Sequence, residues 1–121
     1  MKNSEIYLRF LAISEVLAQE MKLADVDLTS QKLLESIAVA AESKQMLNVS
    51  QAMALNAIAS PATLHRKIQI LLDAGLVEQV YEGRNRRTRY LSPTDKAQSH
   101  FERMGKSMTS SLIGTLSTAG A

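Results

Sequence analysis

Within residues 60–91 the chain carries Arg66, Lys67, Arg84, Arg86, Arg87 and Arg89 against only Asp73, Glu78 and Glu82. A guanidinium is planar, always charged and offers its N–H donors in a fixed fork. That geometry suits phosphate oxygens and the paired acceptors on base edges. So many cations on one short segment point to an anionic polymer. The rest of the chain does not share the bias. Residues 1–59 hold five basic and seven acidic side chains, residues 92–121 hold three and two, and the whole chain has a formal net charge of +2.

Other chemistries have little to work with. There is no cysteine, which removes disulfides, thiolate metal sites and thiol redox sensing. His65 and His100 stand apart, with no nucleophile-and-acid constellation and no ligand spacing, and the chain has no glycine-rich phosphate loop. Neither an enzyme nor a metal site or cofactor is expected. No apolar run approaches the length of a membrane span, and residues 1–10 lack the basic-then-apolar order of a signal peptide. A cytoplasmic protein with no membrane partner is expected.

The cations must be positioned by defined elements. With 121 residues and a 45% apolar content, the chain suits a single domain over 1–121 built on Leu, Ile, Val, Ala and Met. Ile6, Phe10, Ile13, Leu17 and Ala24 recur at helical spacing, widened by Leu8 and Leu11, and predict a helix from Glu5 to Ala24. Thr29 or Ser30 is expected to cap a second helix reaching Glu42, with Leu33, Leu34, Ile37 and Ala41 inward. Residues 43–48 read as a loop, and Ser50 as the cap of a short helix over 51–56.

Ser60-Pro61 is the sharpest local signal: serine is a favoured N-cap, and proline loses nothing where its N–H would be unpaired anyway. The helix it opens is expected to run over 61–74 and to end at Gly75. Two strands, 76–81 and 87–91, then flank a turn at 83–85, forming a hairpin with an arginine-rich tip. Thr94 is a candidate cap for a last helix carrying Ala97, Phe101, Met104, Met108 and Leu112, frayed beyond Gly114.

The order is helix, helix, short helix, helix, hairpin, helix: mainly α with a small β-hairpin. The stretch from Val49 to Leu91 resembles the winged-helix core of the MarR-type transcriptional regulators. The resemblance is carried by Ser60-Pro61-Ala62-Thr63-Leu64, Leu71, Gly75-Leu76-Val77, Gly83-Arg84-Asn85-Arg86-Arg87 and Leu91-Ser92-Pro93-Thr94. It implies a winged helix-turn-helix with a DNA-binding core over about 30–91, flanked by dimerisation helices at 1–24 and 94–113. The chain departs from the family where a glycine usually tightens the turn before the recognition helix; Asn56 is expected to supply the left-handed residue there. Ile70 and Leu72 stand where the family usually has polar residues, and are expected to be exposed.

The expected function is sequence-specific binding of double-stranded DNA in transcriptional control, as a homodimer. Helix 61–74 would enter the major groove and wing 77–91 the minor groove. Leu64, Ile68 and Leu71 would hold the helix to the core. Ser60, Ala62, Thr63 and Arg66 would read bases, because a recognition helix reads with its first turns. His65 and Lys67 lie on the flanks within reach of phosphate. The helix start at Pro61, and Ser50 with Gln51 at the preceding helix, offer N–H groups to phosphate. Arg84, Asn85, Arg86 and Arg87 form the wing tip, where arginine suits a narrow minor groove. Arg89 is set apart from them, because Glu78 or Glu82 could pair with it across the hairpin; Glu82 could also pair with Arg84.

Ile6, Phe10, Ile13, Leu17, Phe101, Met104, Met108 and Leu112 are the candidate dimer contacts. The resemblance allows a small-molecule effector, but no residue supports one. Two other readings are a winged helix for protein–protein contact, suggested by Ile70 and Leu72, and a plasmid or phage DNA-maintenance protein.

Overall fold

The computed structural model describes residues 2–20 and 26–120, with side chains for residues 2–16, 19 and 26–110. Its elements are α1 (Asn3–Glu20), α2 (Leu28–Glu42), β1 (Leu47–Asn48), α3 (Val49–Met53), α4 (Pro61–Asp73), β2 (Val77–Glu82), β3 (Asn85–Pro93) and α5 (Asp95–Gly120). The chain divides into two compact units. Residues 23–98 form one, and residues 1–22 with 99–121 form the other.

The unit of residues 23–98 is a winged helix. α2, α3 and α4 pack together, and an antiparallel sheet of order β1-β3-β2 closes them. Leu33, Leu34, Ile37, Leu64, Leu71, Leu76 and Leu91 are fully buried. Burying each such side chain contributes roughly 1.5–3 kcal/mol. Helical spacing puts Leu64, Ile68 and Leu71 on one side of α4, and that side alone is buried.

The end of α4 is firmly closed. Gly75, at φ +72, lets its own N–H reach Leu72 O and lets the Leu76 N–H reach Leu71 O. This is the Schellman arrangement, completed by burial of both Leu71 and Leu76. Thr94 then donates its hydroxyl to Gly75 O at 2.6 Å and accepts from the Ala97 N–H, so the start of α5 caps itself while holding the end of α4. Lys96 donates to Ala74 O at 2.9 Å, a cation at the negative end of a helix.

Several local expectations are corrected. The cap of α2 is Asp27, whose carboxylate accepts from the Ser30 N–H at 2.7 Å, and not Thr29 or Ser30. Ser30 is buried instead. Asn48, not Ser50, caps α3, in a reciprocal box with Gln51, and α3 ends at Met53, short of residue 56. The supposed loop 43–48 contains β1, with Leu47 opposite Leu91 and Asn48 opposite Tyr90. Among the described residues Lys44, at φ 60, is the non-glycine in the left-handed region, so Asn56 does not take it. The turn before α4 closes through Ile58 N–H to Leu55 O at 2.9 Å. Ile70 and Leu72 are half-buried rather than exposed. α1 begins two residues early, at Asn3, and its expected end, Ala24, lies outside the described residues. α5 stays helical to Gly120 rather than fraying at Gly114.

In the other unit, Ile6, Phe10 and Ile13 of α1, and Phe101 and Met104 of α5, are half-buried. Among the described residues of this unit, Tyr7, Leu8, Leu11 and Val16 of α1, with Met108 of α5, are the large apolar side chains left exposed. The side chains of Leu17 and Leu112 lie outside the described residues. His100 is buried and tilts against Phe101 with ring centroids 5.8 Å apart.

Candidate nucleic-acid interface

The side of α4 opposite its buried stripe is open to solvent. Ser60, Pro61, Ala62, His65, Arg66, Gln69 and Asp73 are exposed, and Thr63 and Lys67 are half-buried. The first turn is organised by its own side chains. Ser60 Oγ accepts from the Thr63 N–H at 3.4 Å and donates to Thr63 Oγ1 at 3.1 Å. Arg66 Nη2 donates to the same Thr63 Oγ1 at 3.4 Å. Ser60, Thr63 and Arg66 are thus brought together on successive turns, as the helical spacing requires.

Lys67 is engaged differently. Its ammonium lies 2.6 Å from the Asp27 carboxylate, which also caps α2. The carboxyl of Asp27 is held below its ordinary value, first by the hydrogen bond from Lys67 and then by that from the Ser30 N–H. The pair pins the flank of α4 to the start of α2. Ser50 and Gln51 are both exposed, but Gln51 is committed to the cap of α3.

The wing is β2 and β3, turned at Gly83 (φ +59). Every residue from Tyr81 to Arg87 is exposed. Arg84 lies in the turn itself, while Asn85 opens β3, where its side chain accepts from the Arg87 N–H at 2.9 Å. Among the described residues no ion pair engages Arg84, Arg86, Arg87 or Arg89. The pairings open to Arg89 with Glu78 or Glu82, and to Glu82 with Arg84, are therefore not formed. Arg89 Nε donates to the Tyr81 hydroxyl at 3.4 Å, and its Nη1 to Gln79 Oε1 at 3.5 Å.

Tyr81 and Asp27 join the site only through the structure. Tyr81 is a lone aromatic just ahead of an arginine run, and that interleaving was the available signal. Asp27 carried none beyond its capping residue type, because its partner lies 40 residues away.

No group of three or more His, Asp or Glu side chains converges as a metal site among the described residues. No helix among them is long and apolar enough to cross a membrane.

No protein-family model and no curated protein matches the chain. Solved structures do. RV1404 from Mycobacterium tuberculosis aligns at TM-score 0.63 and 16% identity, over 89% of this chain and 69% of that one. MepR, a transcription regulator of the Staphylococcus aureus multidrug efflux pump MepA, aligns at TM-score 0.57 and 12% identity, over 95% of this chain and 84% of that one. A protein from Listeria monocytogenes assigned to the MarR family of transcriptional regulators, complexed with 26mer DNA, aligns at TM-score 0.51 and 19% identity, over 96% and 75%. The likeness is one of fold: the chain has the winged-helix fold of the MarR-type regulators.

Proposed function

We propose that this chain, a winged helix of the MarR type, is a transcriptional regulator that binds double-stranded DNA sequence-specifically, as a homodimer in the cytoplasm. The observation that carries the reading is the exposure of two elements of one compact unit: the polar outer side of α4, with Arg66 on its first turns, and the arginine tip of the wing. Neither is covered by the unit's own packing, and no carboxylate neutralises the wing arginines among the described residues. The DNA-bound Listeria protein of similar fold supports the same reading.

In this account the first turns of α4 enter the major groove. Arg66 donates to guanine O6 and N7, and Ala62 and the Thr63 methyl meet thymine methyls. Ser60, Pro61 and His65 lie where phosphate passes the helix start, as does Ser50 at α3, whereas both the N–H and the side chain of Gln51 are taken up by the cap with Asn48. Lys67 contributes through Asp27, by fixing the angle of α4. Arg84, Asn85, Arg86 and Arg87 follow the minor groove, where A·T tracts concentrate negative potential.

Two copies on a two-fold site add specificity that a single module lacks. The helices α1 and α5 hold the apolar side chains for that pairing. The exposed Tyr7, Leu8, Leu11, Val16 and Met108 are better placed for it than the half-buried Ile6, Phe10, Ile13, Phe101 and Met104. Half-burial of Ile70 and Leu72 removes the observation that favoured a protein-docking surface on α4.

The test is selection from a random duplex pool, followed by a protection footprint of the winning sequence. A palindromic site with half-sites about one helical turn apart is the expected result. Recovery of no preferred sequence would contradict the reading.

A further inference from the structure

The register of the wing is irregular at one point. Val80 pairs with Tyr90 and Glu82 with Asn85, so two steps along β2 are matched by five along β3. Tyr81 alone faces the segment Arg86-Arg87-Thr88-Arg89. In a regular strand, residues three apart point to opposite faces. Here the excess residues relax that rule, as bulged pairings do. The Arg86 guanidinium carbon lies 5.1 Å from the centre of the Tyr81 ring, and that of Arg89 lies 6.0 Å from it. Arg89 also donates to the Tyr81 hydroxyl. One aromatic side chain therefore gathers two cations that would otherwise repel each other.

We propose that Tyr81 is the positioning residue of the wing, using its π face to hold Arg86, with Arg89 beside it, in a fixed arrangement for an A·T-rich minor groove. The inference rests on the DNA-binding reading above. A free arginine loses side-chain freedom when it binds; one already held on a ring has lost much of it beforehand. The ring does this without neutralising the charge, as a carboxylate would, so the guanidinium keeps its full attraction for phosphate and groove. The ring carries the Arg86 contact, and the hydroxyl serves only Arg89.

The test compares the wild-type chain, Tyr81→Ala, Tyr81→Phe and Arg86→Ala for binding a fluorescein-labelled A·T-rich duplex across a salt series. Tyr81→Ala is expected to weaken binding about three- to tenfold, while Tyr81→Phe stays within about twofold of wild type. The slope of log K against log salt is expected to stay unchanged in both, because no cation is removed. In Arg86→Ala the slope becomes shallower by about 0.9 for each wing bound to the duplex. In the free protein, upfield ring-current displacement of the Arg86 Cδ protons is expected in wild type and Tyr81→Phe and absent in Tyr81→Ala. Wild-type affinity in Tyr81→Ala, or an equal loss in Tyr81→Phe, overturns the proposal while the DNA-binding reading stands. Failure of the wild-type chain itself to bind the duplex overturns that reading first.

Discussion

Asp27 and Lys67 meet at 2.6 Å, joining the cap of α2 to the flank of α4 across 40 residues of sequence. The same carboxylate accepts from the Ser30 N–H. One side chain therefore starts one helix and orients another. Both members are partly exposed, so the ion pair alone is worth about 0–1 kcal/mol.

That arrangement separates two variants. Asparagine caps a helix as well as aspartate does, so Asp27→Asn removes the ion pair and keeps the cap. Asp27→Ala removes both and costs about 1 kcal/mol more. The carboxyl of Asp27 is lowered from an ordinary 3.8, foremost by Lys67. A lowered folded value means the stabilisation is complete above the ordinary value and is lost as the pH falls through the folded one. Urea denaturation is expected to show wild type above Asp27→Asn at neutral pH, with the gap closing below about pH 4. A gap that widened in acid would contradict the assignment.

Lys44 sits at φ 60 just beyond α2, where its N–H reaches Ala41 O and the Gln45 N–H reaches Ala40 O. This is the closing pattern that usually employs glycine. Lys44→Gly is expected to raise stability by about 0.5–1 kcal/mol, read as a higher denaturation midpoint. An unchanged or lower midpoint would count against the left-handed assignment.

Arg66 stands on the exposed side of α4, its guanidinium within reach of Thr63 Oγ1. Arg66→Ala is expected to relax preference at one base position by about 1–3 kcal/mol, measured as competition between the selected duplex and single-base variants. A uniform loss across all those duplexes would make Arg66 a phosphate contact instead.

The exposed apolar side of α1 bears on assembly. Leu8, 60% exposed, and Leu11, 41% exposed, lie one turn apart. Sedimentation equilibrium at micromolar concentration is expected to give a dimer, and the double replacement Leu8→Glu with Leu11→Glu a monomer. A wild-type monomer would end the homodimer proposal.

Much of the winged helix was legible because its strongest signals are local. Ser60-Pro61 starts α4 where expected, Gly75 ends it, and Gly83 turns the hairpin. The stripe of Leu64, Ile68 and Leu71 separates the buried side of α4 from the outer one. What escaped depends on distant partners. Asp27, Thr29 and Ser30 are all capping residue types within one turn, and Lys67 contributes to fixing Asp27 there. β1 is two residues long and exists only because β3 lies beside it. Asn48 prevails over Ser50 as the cap of α3 because Gln51 can complete a reciprocal box with it. Tyr81 matters only once the uneven register of β2 and β3 is known.

The measurement that bears most directly on the account is backbone amide mapping by NMR as an A·T-rich duplex is titrated into the full chain. Residues 60–67, at the cap and first turns of α4, and 82–89 of the wing are expected to shift together, saturating at the same duplex concentration. Shifts confined to one of those segments, or centred on another face, would contradict it.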